Sequence, residues 1–365
     1  MYHELRKRGA SDAPASSLPR SAAGQALAMA ATFAVAGIGG IAARFGGLPL
    51  PWLLGPLFAT ALAALAGAPI EPIRNGRTIG QVVVGSAIGV QFNVAVIFSL
   101  ISLLPLMTAV AFVSMLVGAC GALLLMRLGH LDKTTAFFAT VPGGVAEMVN
   151  IAPRYRAALE PIMLAQTLRV GLIVAVAPFL VVQFAHVGGA QAVAPALTMD
   201  WPIALLLLIA AAVGGAALAT CTFPNAWFMG AIAVGVVFGL FGWAQGRMPA
   251  AILIPAQILI GASLGVQFRR EFLVSLARLM LAASVVVVFV ATVMALLGAA
   301  FAAALGLPIP TMVLAFAPAG MAEMVLTAKL LGLDGPVVAG FQLVRIIIIL
   351  LLAQPAYRLF ARLVT

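Results

Sequence analysis

Three sets of polar residues recur at one fixed distance along this chain, and each contains residue types able to hold ions. Gln166 and Arg169 return as Gln342 and Arg345. Pro142-Gly143-Gly144 followed by Glu147 returns as Pro318-Ala319-Gly320 followed by Glu323. Gln81 and Gln91 return as Gln257 and Gln267. The offset is 176 residues in every case. A constant offset across separated blocks marks a duplication. Each of these residues lies in a strongly apolar stretch. A charge in hydrocarbon costs roughly 2.5–3.5 kcal/mol on insertion scales, so it reads as functional by default.

Three residues along a helix puts Gln166 and Arg169 on one face, and likewise Gln342 and Arg345. That face looks inward, toward a carboxylate, a backbone carbonyl or a solute anion. Two readings stay open. In one, Glu147 pairs with Arg169 and Glu323 with Arg345 as structural ion pairs. In the other, the glutamates bind a proton or cation while the arginines and freed helix N-termini receive an anion. Half-helix N-termini carry partial positive charge and unpaired N–H groups, and inverted-repeat carriers use them at the bilayer midplane. Gly85, Gly89, Gly261 and Gly265 lie between the glutamines in G-x-x-x-G spacing, which favours close helix packing. The glutamines themselves read as interhelical hydrogen bonds or as cavity lining.

The elements that position these groups follow from composition. Of 365 residues, 64% are hydrophobic and 8% charged. A soluble chain carries about 25% charged residues, so lipid is the expected solvent and the bilayer the expected partner. The net charge of +10 comes from basic residues scattered at the ends of apolar segments, which is how a membrane protein sets its orientation. No basic stripe with interleaved aromatics marks a direct nucleic-acid interface. Cys120 and Cys221 form no disulfide framework or metal spacing, and His3, His130 and His186 lie apart from them. No P-loop or H-E-x-x-H is present, so neither an enzyme, a metal nor an organic cofactor is expected. Residues 1–25 read as a basic, disordered cytoplasmic tail rather than a cleaved signal peptide.

The expected fold is all-α and polytopic, with repeat 1 over residues 26–190 and repeat 2 over 200–365. Each repeat has five transmembrane helices and one broken segment, at about 134–151 and 312–331. Proline and glycine mark each break, and irregular backbone at membrane depth needs burial in protein or a wet cavity. If both broken segments cross, Lys and Arg divide 11 inside to 7 outside. If both are re-entrant, the division is 15 to 3, with only Arg44, Arg247 and Lys329 outside. The stronger bias favours ten spans, inverted repeats and an inside N-terminus. Gly143 and Ala319 are then expected to flank a shared polar cavity.

The paired G-x-x-x-G-x-Gln-Phe and Pro-Gly/Ala-Gly-x-Ala-Glu-Met blocks resemble the AbrB duplication family of Gram-negative membrane proteins. The likeness covers nearly the whole chain after about residue 25, and the chain departs from exact duplication where Ala319 replaces Gly143. The resemblance implies the bacterial inner membrane. It also brings the labels transcriptional regulator and ammonia monooxygenase, and no residues here support direct DNA binding or copper chemistry. The expected function is secondary transport of a small polar or anionic solute, with H⁺ or Na⁺ as coupling ion. The alternative is a membrane-embedded regulator of gene expression. A sensor would ordinarily carry a sizeable output domain, and the basic tail is too small to fold alone. The oligomeric state stays open.

Overall fold

Apolar runs bounded by Gly, Pro and Asn form helices throughout. The computed structural model describes residues 22–185, 198–221, 223–268 and 277–364. Most of the N-terminal tail, His3, His186 and Arg269–Arg270 lie outside the described residues.

The first half consists of α1 (Ala22–Phe45), α2 (Pro51–Leu65), α3 (Gly76–Gly89), α4 (Val94–Gly129), α5 (Lys133–Thr140), α6 (Val145–Ile151) and α7 (Leu159–Ala185). The second consists of α8 (Trp201–Thr220), α9 (Ala226–Leu240), α10 (Ala250–Gly265), α11 (Ala277–Leu305), α12 (Ile309–Phe316), α13 (Met321–Leu330) and α14 (Gly335–Leu363). A short 3₁₀ turn over Ala152–Tyr155 follows α6. Both broken segments split where expected, at Pro142–Gly144 and at Pro318–Gly320.

Among the described residues six helices are long and apolar enough to cross a membrane: α1, α4, α7, α8, α11 and α14. This makes the chain a helical protein of membrane type. The other four expected spans are shorter. They have 15 residues in α2, 14 in α3, 15 in α9 and 16 in α10. At about 1.5 Å per residue, none of these reaches the ~30 Å of a hydrocarbon core as a straight helix. The helix ends explain the shortfall. Gly67 and Gly242 adopt positive φ just beyond α2 and α9, a conformation glycine takes without steric cost.

The packing is reciprocal between the halves. Helix α3 packs on α9, while α10 packs on α2; α4 packs on α14, while α11 packs on α7. Helices α3 and α10 meet each other, as do α4 and α11. Glycines allow the close approaches. A Cβ on Gly85 would lie 2.7 Å from the Phe228 carbonyl oxygen, and one on Gly261 would strike the Leu53 carbonyl. The long helices turn large apolar side chains outward: Leu27 on α1, Leu116 on α4, Ile209 on α8 and Leu281 on α11 are all exposed. Such faces require an apolar surrounding. The broken segments lie inside, with Phe137, Phe138, Phe316 and Met324 in the main core.

Candidate functional site

A helix that ends inside a protein leaves carbonyls without intrahelical partners. Helix α5 ends at Thr140 and α12 at Phe316, both buried. Gln166 and Arg169 on α7 supply the missing donors for α5. The Gln166 amide nitrogen donates to the carbonyls of Phe138 at 2.9 Å and Val141 at 3.1 Å. Arg169 donates to the carbonyls of Val141 at 3.2 Å and Gly143 at 3.0 Å.

The second half repeats each of these bonds and adds two. Gln342 on α14 donates to the carbonyls of Leu314 at 3.2 Å, Ala315 at 3.4 Å and Ala317 at 3.0 Å. Arg345 donates to the carbonyls of Ala317 at 2.7 Å and Ala319 at 3.3 Å. Arg345 also donates to the Gln342 side-chain oxygen. The Gln166 side-chain oxygen, by contrast, is buried with no partner among the described residues.

The expected pairs Glu147–Arg169 and Glu323–Arg345 therefore do not form. Of the three inward partners open to these arginines, the carbonyls take the guanidiniums. The physical reason is local. Each break strands several carbonyls beside one guanidinium fork, whose planar donors suit two acceptors at once. Both arginines are buried, and the Nε–H of each has no partner among the described residues.

The glutamates sit on the far side of each break, in the first turn of α6 and of α13. Each carboxylate folds back on its own helix start. A Cβ at Gly144 would collide with the Glu147 carboxylate, and one at Gly320 with the Glu323 carboxylate. Glycine at these two positions therefore leaves the room each carboxylate occupies. Glu323 is fully buried and pairs with Arg77 at 2.6 Å. Arg77, read from sequence as a loop charge, opens the first turn of α3. Lys329, read as an outer-loop charge, instead ends α13 and donates to the Ala87 carbonyl on α3. Neither has a counterpart, since Leu253 and Pro153 occupy the equivalent positions. Glu147 is half-buried and has no ion-pair partner among the described residues.

The four other glutamines are not gathered at the breaks. Gln81 and Gln257 are buried, Gln91 is exposed and Gln267 is half-buried. Gln267 donates to the Ser263 carbonyl at 2.8 Å. A cavity reaches Arg169, lined by Thr140, Leu125, Ala165, Val286 and Val290 among others. It is mainly apolar and touches neither Gly143 nor Ala319, so it is not the expected shared polar cavity. The expectation that the chain contains no G-x-S-x-G motif is corrected by Gly261-Ala262-Ser263-Leu264-Gly265, which has nucleophile-elbow spacing. Ser263 lies within α10 rather than at a strand-to-helix turn and donates to the Ile260 carbonyl at 2.7 Å. Among the described residues no three His, Cys, Asp or Glu side chains gather as a metal site.

Residues 52–361 match the family model described as transition state regulatory protein AbrB. The uncharacterized protein YhjN of Bacillus subtilis (strain 168) is 29% identical over 357 residues, 89% of this chain and 91% of that protein. A candidate regulator, AbrB of Escherichia coli (strain K12), is 25% identical over 234 residues, 63% of this chain and 67% of that protein. With the match spanning both broken segments and nearly all the helices, the chain belongs to the AbrB family.

Proposed function

We propose that this protein is a secondary transporter of a small anionic or polar solute, with its site at the two helix breaks. One observation carries the reading. Two buried guanidiniums, free of any carboxylate among the described residues, each keep an unpartnered Nε–H beside a helix break. A charge without a counter-ion in an apolar interior is costly. An anion that enters between the breaks lowers that cost. In this reading Pro142, Gly143, Gly144, Pro318, Ala319 and Gly320 form the backbone of the site. Glu147 and Glu323 serve the coupling ion, H⁺ or Na⁺, and no organic cofactor or metal takes part. The fifteen-to-three charge bias supports an N-terminus in the cytoplasm, and the family resemblance supports the bacterial inner membrane.

A thermal-shift screen of small carboxylates and other anions on the purified protein tests this. A ligand that binds only the folded state raises its melting temperature. A stabilising solute should lose its effect when Arg345 is replaced by Lys. No stabilisation by any small solute would count against the carrier. The name of the family and of one relative favours a second reading, a membrane-embedded regulator of gene expression. That reading predicts changed transcript levels on deletion, with no solute flux in liposomes.

A further inference from the structure

Helix α13 is fastened to α3 at both ends, and among the described residues α6 has no equivalent fastening. Arg77 and Glu323 join the two helix starts, and Lys329 reaches the Ala87 carbonyl near the two helix ends. The repeat offers Leu253 and Pro153 in place of the two cations, so this clip belongs to one half only.

The Arg77–Glu323 pair is lopsided. The arginine side chain is 37% exposed and the glutamate side chain 1%. Arg77 also stands in the first turn of α3, where the helix dipole disfavours a cation. It therefore has a ready alternative in water. Glu323 has none. One of its oxygens holds Arg77, and the other is buried with no partner among the described residues.

The elements packed on α13 are α14, α12, α3 and α7. Arg345 belongs to α14 and Arg169 to α7, and α12 has no titratable side chain. Glu160 stands at the exposed start of α7. Both buried arginines are engaged by carbonyls. Among the described residues, Arg77 is then the cation whose departure strands the carboxylate.

We infer that Glu323 is the proton-carrying residue and that separating α13 from α3 takes up one proton. If Arg77 leaves for water, an ionised Glu323 becomes a buried, unpaired charge, which is strongly unfavourable. A proton removes that charge and supplies an O–H donor. The proton comes from water and bonds to the carboxylate, and Arg77 stays protonated throughout. Sodium fits less well, because a hard cation needs several oxygen ligands and no acidic cluster surrounds Glu323. Since Leu253 replaces the second arginine, one cycle carries one proton at this switch. The use of that proton rests on the carrier reading, but the test needs no solute.

The test measures the distance between spin labels at Ile79 on α3, which is exposed, and Leu331 just after α13, using full-length protein in lipid nanodiscs. Acidification should lengthen the distance in the otherwise unaltered protein, and sodium at constant pH should not. Glu323→Gln should show the long distance at every pH. Should that variant fail to fold, Arg77→Leu combined with Glu323→Gln replaces the pair by uncharged groups and should lose the pH response. An unchanged distance on acidification of the unaltered pair overturns the inference, as does a response to sodium. A pH response retained in either variant also overturns it. None of these outcomes bears on whether a solute binds, which the thermal screen decides separately.

Discussion

Arg169 on α7 donates to the carbonyl of Gly143 at 3.0 Å, across the break between α5 and α6. Arg345 makes the same bond to Ala319 in the second half. Each arginine thus does the work that the next helical turn would have done. A helix end at membrane depth stays buried because a side chain on a neighbouring helix satisfies it.

Replacing either arginine by lysine should destabilise the protein, because one ammonium cannot bridge two carbonyls with the fork geometry of a guanidinium. Each stranded carbonyl costs about 1–3 kcal/mol. Arg345→Lys should be the more damaging, since Arg345 also holds Gln342. Melting of the purified variants in detergent measures this. Equal stability of both variants with the unaltered protein would mean the carbonyl bonds contribute nothing.

Gly320→Ala should weaken the attachment of α13 to α3. The added Cβ displaces the Glu323 carboxylate and with it the bond to Arg77. Gly144→Ala displaces Glu147, which has no such bond to lose among the described residues. The expected order of melting temperatures is therefore Gly144→Ala above Gly320→Ala.

Much of this architecture is legible in the sequence. The Pro-Gly-Gly and Pro-Ala-Gly motifs mark where α5 and α12 stop, because neither continues a regular helix cheaply. The spacing of Gln166 and Arg169 places both on one face, and carbonyls were among the expected partners. What selects carbonyls over carboxylates is not legible. It depends on how far Glu147 and Glu323 fold back on their own helix starts. The Arg77–Glu323 pair is hidden for another reason. Its partners are 246 residues apart, and Arg77 has only Leu253 at the repeat offset, so the duplication that reveals Glu323 does not reveal its partner. The short helices read as full spans because apolar residues continue past their glycine ends.

Gly85→Leu and Gly261→Leu should each disrupt folding. Even the Cβ would press on a backbone carbonyl of the facing helix, at Phe228 or at Leu53. Overpacking of this kind costs about 1–3 kcal/mol and sometimes more. The yield of monodisperse protein should fall in both variants. A normal yield would mean that α3 can move away from α9 and α10 from α2.

Cysteine labelling of Arg154→Cys in intact cells tests the topology. The fifteen-to-three division of basic residues, with both breaks re-entrant, predicts a cytoplasmic location for this loop. Labelling by an impermeant reagent from outside would reverse the assignment.

The most direct test of the carrier is flux through its two glutamates. Once the thermal screen has found a solute, its uptake into liposomes containing the unaltered protein, Glu147→Gln or Glu323→Gln is compared. The amide keeps the size of the side chain and removes its charge. The account predicts that the folded variants lose most uptake in at least one case, and that uptake by Glu323→Gln no longer responds to a proton gradient. Uptake at the unaltered rate in both variants, still driven by protons, would contradict it.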